Sequence, residues 1–266
     1  DRPAARRAAS KFARVWAAGD LAALLAWGVI WRAIGTTDLD AIAAAAERVP
    51  TLAAALLVLA AALKTAAFPL HGWLTEVVEA PTPVSALLHA GIVNGGGLLL
   101  IRTADLMQAS PGAMAALVML GGFTALFGAA VMLTQSAVKT ALAWSTVAQM
   151  GFLLLQCGLG LWALAMLHIV AHSLYKAHAF LSSGQAVEDV ARNRKPGPVA
   201  VPGTWAVARA FGLALLIYAG VALVFQQLGA PKSAQGLALG AILILGVAYL
   251  IAQGLADAAP VALTRR

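Results

Sequence analysis

Long apolar stretches, separated by shorter polar ones, run along the whole chain. Eight of them hold about 20 residues each, the number that a helix needs to cross a bilayer, and they cover 15–34, 51–70, 83–102, 112–135, 139–157, 161–182, 204–228 and 235–256. Only 11% of the 266 residues are charged, against about 25% in soluble domains. The pattern predicts an all-α fold, a polytopic transmembrane helix bundle that forms a single domain over 1–266.

The basic residues divide unevenly between the two sides of this predicted bundle. One side carries eleven lysines and arginines, and the other carries four, which are Arg32, Arg48, Arg102 and Lys232. An excess of positive charge marks the cytoplasmic side, so we predict that both ends of the chain are cytoplasmic. The same side holds a polar connection at 187–203, and two C-terminal helices follow over 204–266. The basic residues do not form an arm with interleaved aromatics, so membrane lipids and not nucleic acid are the expected partners.

A lysine and three prolines interrupt the second and third crossings. Lys64 lies deep in an apolar run, Pro69 removes a backbone donor, and Pro81 and Pro83 stand where the next helix starts. An ionisable side chain in hydrocarbon costs about 2.5–3.5 kcal/mol even on lenient scales, which makes Lys64 a candidate functional residue. Broken backbone at membrane depth must be satisfied by protein or water, so we expect the segment 68–81 to be buried or to line a wet cavity.

Three more ionisable residues in the crossings each have two interpretations. His89 is either a packing histidine or part of a proton pathway, and its nearness to the proline break favours the pathway. Asp20, about a turn and a half inside the first crossing, fits a pathway or an interface carboxylate satisfied by Arg14 or water. Lys139 opens the fifth crossing, where a lysine usually extends towards the lipid headgroups.

The sixth crossing has a regular set of polar residues. His168, His172 and Lys176 recur at i, i+4 and i+8, so they line one helix face over about two turns. Two histidines at this spacing can hold zinc, but no carboxylate or cysteine lies nearby to complete a tetrahedral site. Histidine exchanges protons near neutral pH, so a ladder of exchangeable protons fits the face better than a metal site.

The remaining composition sets limits on the class of protein. The single cysteine, Cys157, permits no internal disulfide and is interpreted as a small core residue. No nucleotide loop, haem-ligand pair or cysteine cluster is present, which disfavours a redox enzyme. The sequence begins with Asp1, without an initiator methionine or a signal-like apolar region, so we interpret it as a fragment that lacks an N-terminal part.

The stretch 63–90, LKTAAFPLHGWLTEVVEAPTPVSALLHA, resembles the proton-translocating, antiporter-like membrane subunits related to complex I and the Mrp antiporters. The resemblance covers about 6–186, the antiporter-like core. It implies that Lys64 is the lysine of a broken helix, paired with a carboxylate on an earlier helix that this sequence lacks. It identifies Asp20 with the aspartate of the family's "GD" element. It further implies roles in an ion or proton pathway for five residues, His89, Lys139, His168, His172 and Lys176.

After Ser183 the sequence departs from the complex I and Mrp pattern. Those subunits continue into a helix with a serine-lysine-aspartate type motif, and we find nothing similar in the last two crossings. The stretch 171–184, AHSLYKAHAFLSSG, is more similar to the membrane subunit of DAB inorganic-carbon accumulation systems. That resemblance implies an H⁺- or Na⁺-conducting subunit of the bacterial inner membrane, which drives a large soluble, cytoplasmic, carbonic-anhydrase-like partner.

The expected function is therefore ion transport coupled to carbon dioxide hydration, with no enzyme activity in this chain. No cofactor or metal is expected here, and zinc is expected in the partner. Glu76 and Glu79, in the proline-bounded segment, are the predicted coupling residues. A pumping subunit of NADH-quinone oxidoreductase or of an Mrp-type antiporter is the first alternative. A non-transporting membrane anchor is the second alternative. It is disfavoured because an anchor does not need ionisable side chains buried in the membrane.

Overall fold

The computed structural model describes residues 2–183, 203–227 and 233–240, together with Ile244 and Ala248. The chain divides into two compact units, Asp1–Asp189 and Val190–Arg266, which are described separately. All the regular structure in the described ranges is helical. The prediction of an all-α fold is confirmed.

The described residues of the first unit form ten α-helices joined by short turns. In chain order they are α1 (Pro3–Ile34), α2 (Leu39–Ala44), α3 (Thr51–Lys64), α4 (Gly72–Glu76), α5 (Thr82–Ala90), α6 (Gly95–Arg102), α7 (Ala104–Gln108), α8 (Pro111–Met132), α9 (Val138–Gly158) and α10 (Trp162–Ser182). The main packing pairs are α8 with α9, α1 with α3, and α10 with α5 and α9. Four helical stretches in the described residues are long and apolar enough to span a membrane, Pro3–Ile34, Thr82–Arg102, Pro111–Met132 and Val138–Gly158.

Helix α1 begins twelve residues before the predicted crossing at 15–34. Its first part is rich in alanine, arginine and lysine, all strong helix formers, and Pro3 occupies the first turn, where proline is tolerated. With 32 residues the helix is about 48 Å long, more than the roughly 30 Å of the hydrocarbon core. The basic N-terminal part of α1 therefore extends beyond the apolar span.

The predicted second crossing, 51–70, is wrong in its extent, because α3 ends at Lys64. The backbone turns at Thr65, Ala66 takes a positive φ of 53°, and the Phe68–Pro69 peptide is cis. Hydrophobicity is unchanged across this point, so the apolar pattern alone cannot mark the helix end. Lys64 is consequently the last residue of its helix, and not a residue two-thirds of the way along a longer one.

The third crossing is also interrupted, and the sequence pattern did not predict this. Helix α5 ends at Ala90, a 3₁₀ turn covers Ile92–Asn94, and α6 starts at Gly95. A Cβ atom on Gly96 would lie 2.6 Å from the Ala61 carbonyl oxygen of α3. A glycine here lets α6 and α3 approach at backbone distance.

Glycines also set the close approach of α8 and α9. A Cβ atom on Gly121 would lie 2.7 Å from the Gly151 carbonyl oxygen, and one on Gly128 would lie 2.7 Å from the Ala148 nitrogen. Gly122, the next residue on α8, has open space where its Cβ would be. The two neighbouring glycines therefore provide a matched test of this packing.

We expect Gly121→Val to destabilise the folded protein, since its side chain meets backbone atoms of α9 that cannot move aside. Overpacking of this kind costs about 1–3 kcal/mol. Thermal unfolding in detergent should show a midpoint several degrees lower for Gly121→Val and an unchanged midpoint for Gly122→Val. Equal midpoints for the two variants would contradict the close packing of α8 against α9.

The second unit contributes one long described helix, α11 (Thr204–Gln227). Residues 234–240 are also helical, and Ala214 and Tyr218 of α11 pack against Ile244 and Ala248. The predicted seventh crossing, 204–228, coincides with α11 except for its last residue, which lies outside the described residues. Most of the polar connection 187–203 and of the predicted crossing 235–256 lies outside them as well.

Candidate functional site

Lys64 and Asp20 form an ion pair between α3 and α1. The Lys64 ammonium lies 2.5 Å from Asp20 Oδ1 and 4.0 Å from the centre of the Trp16 ring. Trp16 and Asp20 are one turn apart on α1, so the same helix face supplies a carboxylate and an aromatic face to the cation. Asp20 is therefore held by Lys64, and the interpretation in which Arg14 satisfies it is wrong. Lys64 also has a carboxylate partner within this sequence, contrary to the expectation that the partner lies on a helix that the sequence lacks.

Lys64 is placed by the end of its own helix. The last turn of α3 leaves carbonyl groups without helical partners, which gives this end partial negative charge that favours a cation. Gly19 allows the stem of Lys64 to approach α1, since a Cβ there would lie 3.4 Å from Lys64 Cγ. The Lys64 side chain is 11% exposed and that of Asp20 is 61% exposed, so the carboxylate has an open side.

The segment between the end of α3 at Lys64 and the start of α5 at Thr82 is here called the break. Protein groups form hydrogen bonds with its backbone and with the last turn of α3. The Trp73 indole donates to the Leu63 carbonyl at 2.9 Å, and the Phe68 amide donates to Thr124 Oγ1 of α8 at 3.1 Å. Trp73 and Leu74 are fully buried. The inner part of the segment 68–81 is therefore buried, which was one of its two expected environments.

The outer part of the same segment lines an open cleft of about 430 Å³. Its walls come from the start of α1, the break and the start of α9, and the residues are Ala4, Arg7, Thr75, Glu76, Val78, Glu79 and Thr140. Lys11 of α1 binds Glu76 at 2.6 Å, and Arg2 lies 4.0 Å from Glu79. These contacts bring the basic start of α1, the break and the start of α9 to one end of the unit, here named the cleft end.

Lys139, the second residue of α9, is bound to the break. Its ammonium donates to the carbonyl oxygens of Ala80 at 3.2 Å and Val78 at 3.4 Å. Val78 lies within the 3₁₀ turn Val77–Glu79, and Ala80 directly follows it, just before α5. Lys139 thus fixes the break to α9, and the interpretation in which it extends only to the lipid headgroups is wrong.

On α10 the residues His168, His172 and Lys176 lie on the face that packs against α5 and α9. Lys176 is fully buried and His172 is buried, whereas Leu167, Val170, Leu174 and Tyr175 on the remaining surface are exposed. The spacing of four residues therefore produced an inward polar face and an outward apolar one.

Each polar group on this face has a defined neighbour. The Lys176 ammonium donates to Ser145 Oγ at 2.7 Å and to the Leu142 carbonyl at 3.4 Å, both on α9. The His168 and His172 rings are 5.9 Å apart, and His168 Nδ1 lies 2.8 Å from Gln156 Oε1. These contacts join α10 to α9 from the level of Ser145 to that of Gln156.

His89 of α5 completes the group. Its ring is fully buried and stacks on Phe180 of α10, with centroids 4.4 Å apart. Within the described part of the chain, both ring nitrogens of His89 and of His172 lack a hydrogen-bond partner.

The structure brings together five of the seven residues that the sequence suggests for a pathway. From the cleft end inwards along α9 and α10 they are Lys139, His89, Lys176, His172 and His168, with His89 placed by its stacking on Phe180. Lys64 and Asp20 form a separate pair, and among the described residues no hydrogen bond or ion pair joins that pair to the series. Along α9, Lys139 and Gln156 are separated by about 25 Å.

This series has the chemistry of a proton or cation pathway through an apolar region. Imidazole and ammonium groups accept and release protons, and buried ring nitrogens without partners are ready to bond water or a neighbouring side chain. Among the residues described, no group of three or more histidine, cysteine, aspartate or glutamate side chains is arranged to hold a metal ion.

Sequence reasoning overlooked two polar residues that support the series. Gln156 stands alone in the apolar run 152–158, which is the signal that could have identified it. Asn94, in the 3₁₀ turn between α5 and α6, donates to the Ala90 carbonyl at 2.7 Å and to Ser173 Oγ of α10 at 3.0 Å. Asn94 thereby ties the interruption of the third crossing to the polar helix α10.

Similar proteins share both the sequence and the fold. The chain is 47% identical over 209 residues to "Probable inorganic carbon transporter subunit DabB2" of Halothiobacillus neapolitanus, covering 76% of this chain and 38% of the relative. It is 57% identical over 148 residues to "Probable inorganic carbon transporter subunit DabB" of Hydrogenovibrio crunogenus, covering 56% and 29%. The chain therefore spans about a third of the length of these relatives.

Two solved structures resemble this one at the level of the fold. The Mrp complex from Dietzia sp. matches with a TM-score of 0.69 and 28% identity, covering 94% of this chain and 30% of that one. Respiratory complex I from Thermus thermophilus matches with a TM-score of 0.62 and 25% identity, covering 93% and 57%. A family model described as "NADH:quinone oxidoreductase/Mrp antiporter, TM" matches residues 1–251. The chain therefore belongs to the NADH:quinone oxidoreductase/Mrp antiporter family of membrane proteins.

Proposed function

We propose that this chain is the ion-conducting part of a membrane subunit in an inorganic-carbon accumulation complex. In this proposal, H⁺ or Na⁺ moves through the bundle, and the energy drives carbon dioxide hydration by a soluble, cytoplasmic, carbonic-anhydrase-like subunit that carries the zinc. The observation that carries the proposal is the series from Lys139 to His168, because an ionisable group within a membrane is costly and is by default a candidate functional residue.

The choice of the inorganic-carbon branch rests on the relatives and on the end of the sequence. The two bacterial relatives reported above are named as probable inorganic carbon transporter subunits. The absence of a late serine-lysine-aspartate type motif after Ser183 agrees with that branch. The chain spans about a third of the length of these relatives.

In the proposed pathway the two clusters have different roles. The series on α5, α9 and α10 carries the ion or proton, with water filling the gaps between side chains. The pair of Lys64 and Asp20 responds to the ion by changing its charge balance, at the point where α3 breaks. Because the break is bound to α1 through Glu76 and to α9 through Lys139, such a change would be transmitted to the cleft end.

A pumping subunit of a respiratory or antiporter complex is the second candidate. The fold similarity to the Mrp complex and to complex I favours it. Mass spectrometry of the intact purified complex separates the two candidates. A partner of carbonic-anhydrase type supports the inorganic-carbon branch, whereas copurifying respiratory or Mrp subunits would contradict it.

The proposal predicts that the soluble partner contacts the cleft end. Cysteines at Thr75 and Val78, which line the cleft, should cross-link to the partner in membranes. Ala191 in the polar connection is a third position, although it lies outside the described residues. Gln108, at the end of α7 and on the predicted opposite side, is the control.

Cross-links from Gln108 but not from Thr75, Val78 or Ala191 would refute both the cytoplasmic assignment of the cleft end and coupling through Glu76 and Glu79. Cross-links from the cleft positions alone support the assignment. The measurement is a mass shift of the partner on denaturing gels after treatment with a bifunctional thiol-reactive reagent.

A further inference from the structure

Gln156 occupies the deep end of the buried series. It lies on α9 and is 3% exposed, and its side-chain Oε1 is 2.8 Å from His168 Nδ1. It is about 25 Å along α9 from Lys139, which stands at the cleft end. A buried glutamine in an otherwise apolar run costs free energy unless its amide is hydrogen-bonded.

The atom of the Gln156 amide that faces His168 Nδ1, oxygen or nitrogen, determines which ring nitrogen of His168 carries the proton. In a neutral imidazole one nitrogen is a donor and the other an acceptor, and the hydrogen bond made by one nitrogen sets the role of the other. If the glutamine oxygen faces Nδ1, then Nδ1 holds a hydrogen and Nε2 has the free lone pair. If the amide nitrogen faces Nδ1, the two roles are reversed.

The oxygen-facing arrangement serves both charge states of His168. A protonated imidazole has N–H donors at both positions, so only the amide oxygen can face Nδ1 when His168 is charged. The same orientation suits the neutral ring with Nδ1 protonated. The amide-nitrogen arrangement works with the neutral ring alone, so Gln156 would have to turn over each time His168 gained a proton.

The other ring nitrogen of His168 is free to exchange a proton. Among the described residues, His168 Nε2 is buried and has no hydrogen-bond partner, and the ring lies next to that of His172. An amide is not a base that can take the proton from Nδ1 at neutral pH. Exchange at His168 is thereby confined to Nε2.

We infer that Gln156 is a positioning residue, which holds His168 in the Nδ1–H tautomer and presents Nε2 as the proton-accepting atom. The inference rests on the proposed proton pathway for its functional meaning, and on the Gln156–His168 contact alone for the tautomer. It assigns a role to a residue that the sequence pattern of the polar face does not include.

The tautomer is tested by ¹⁵N NMR of the full-length protein labelled at histidine, with the His168 signals assigned by their loss in His168→Gln. We expect the neutral ring of His168 to show a protonated Nδ1 and an unprotonated Nε2. In Gln156→Leu this preference should disappear, and in Gln156→Glu, which keeps an acceptor oxygen, it should persist. Gln149→Leu is the matched control, because Gln149 is an exposed glutamine two turns earlier on α9.

Ion flux through the reconstituted complex provides the second measurement. Loss of one hydrogen bond corresponds to about a three- to tenfold change, so Gln156→Leu should slow flux by that factor, with recovery in Gln156→Glu and no change in Gln149→Leu. An unprotonated Nδ1 in the wild type, or unchanged tautomer and flux in Gln156→Leu, overturns the inference. A wild type without ion flux but with protonated Nδ1 contradicts the proposed function and still supports this role of Gln156.

Discussion

Replacing Lys64 with methionine should abolish ion-coupled carbon accumulation while leaving the fold intact. The ammonium is the only group of Lys64 that binds Asp20, at 2.5 Å, and its cation–π contact with Trp16 is lost with it. A carboxylate left without its cation in an apolar environment can become neutral by taking up a proton. The variant should therefore still fold.

The measurement is growth of a carbonic-anhydrase-deficient host at ambient carbon dioxide, with the complex expressed from a plasmid. Lys64→Met should give no growth in air but normal growth at raised carbon dioxide, with wild-type amounts of protein in the membrane. Asp20→Asn should also reduce growth in air, because the ammonium loses its nearest carboxylate. Arg14→Met is the matched control, since Arg14 is exposed and, among the residues that the structure describes, bonds only the Ser10 carbonyl of its own helix. Normal growth in air of a well-expressed Lys64→Met protein would remove Lys64 from the mechanism.

Replacing Lys176 with methionine should stop conduction and should not destabilise the protein. Lys176 is fully buried, and its ammonium donates to a hydroxyl and a carbonyl, not to a carboxylate, in the contacts of the described residues. Methionine has a similar length and needs no hydration, so the substitution leaves no buried charge unpaired. Loss of a positioned proton carrier lowers transfer rates by about 10² or more.

Proteoliposomes with a pH-sensitive dye, and in parallel a Na⁺-sensitive dye, measure this effect. We expect flux of the coupling ion to fall about 100-fold in Lys176→Met, with an unchanged or higher thermal unfolding midpoint. His178→Met is the control, because His178 lies two residues further along α10 and is exposed. Flux at the wild-type rate in Lys176→Met would exclude the α10 face from the pathway.

The comparison of Lys139 with Lys64 shows why single lysines cannot be interpreted from their position in the sequence. Both stand at helix ends, and helix ends favour lysines that reach towards the headgroups. In the structure Lys139 binds the carbonyls of Val78 and Ala80, about 60 residues earlier in the chain, and Lys64 binds Asp20 of α1. Each partner lies on another helix, and the rotation and depth of that helix follow from packing, not from local sequence.

The helix breaks were predictable only where residues with special backbone preferences mark them. Pro81 and Pro83 correctly indicated the start of α5, because proline is tolerated in the first turn of a helix. Pro69 indicated a break in the second crossing but not that α3 ends five residues earlier, at Lys64, and the interruption at Ile92–Asn94 contains neither proline nor glycine. There the backbone turns because neighbouring groups, such as the Trp73 indole and the Asn94 amide, bind the carbonyls that the helix leaves free.

The sequence by itself determined the apolar helical bundle, the family resemblance and the polar face of α10. These are properties of composition and of spacing along one helix, where 3.6 residues per turn place i, i+4 and i+8 together. Only the tertiary structure decided that Lys64 pairs with Asp20, that Lys139 holds the break, and that Gln156 meets His168. Those contacts join different helices, and hydrophobic periodicity fixes which face of a helix is buried without fixing which residue of another helix it meets.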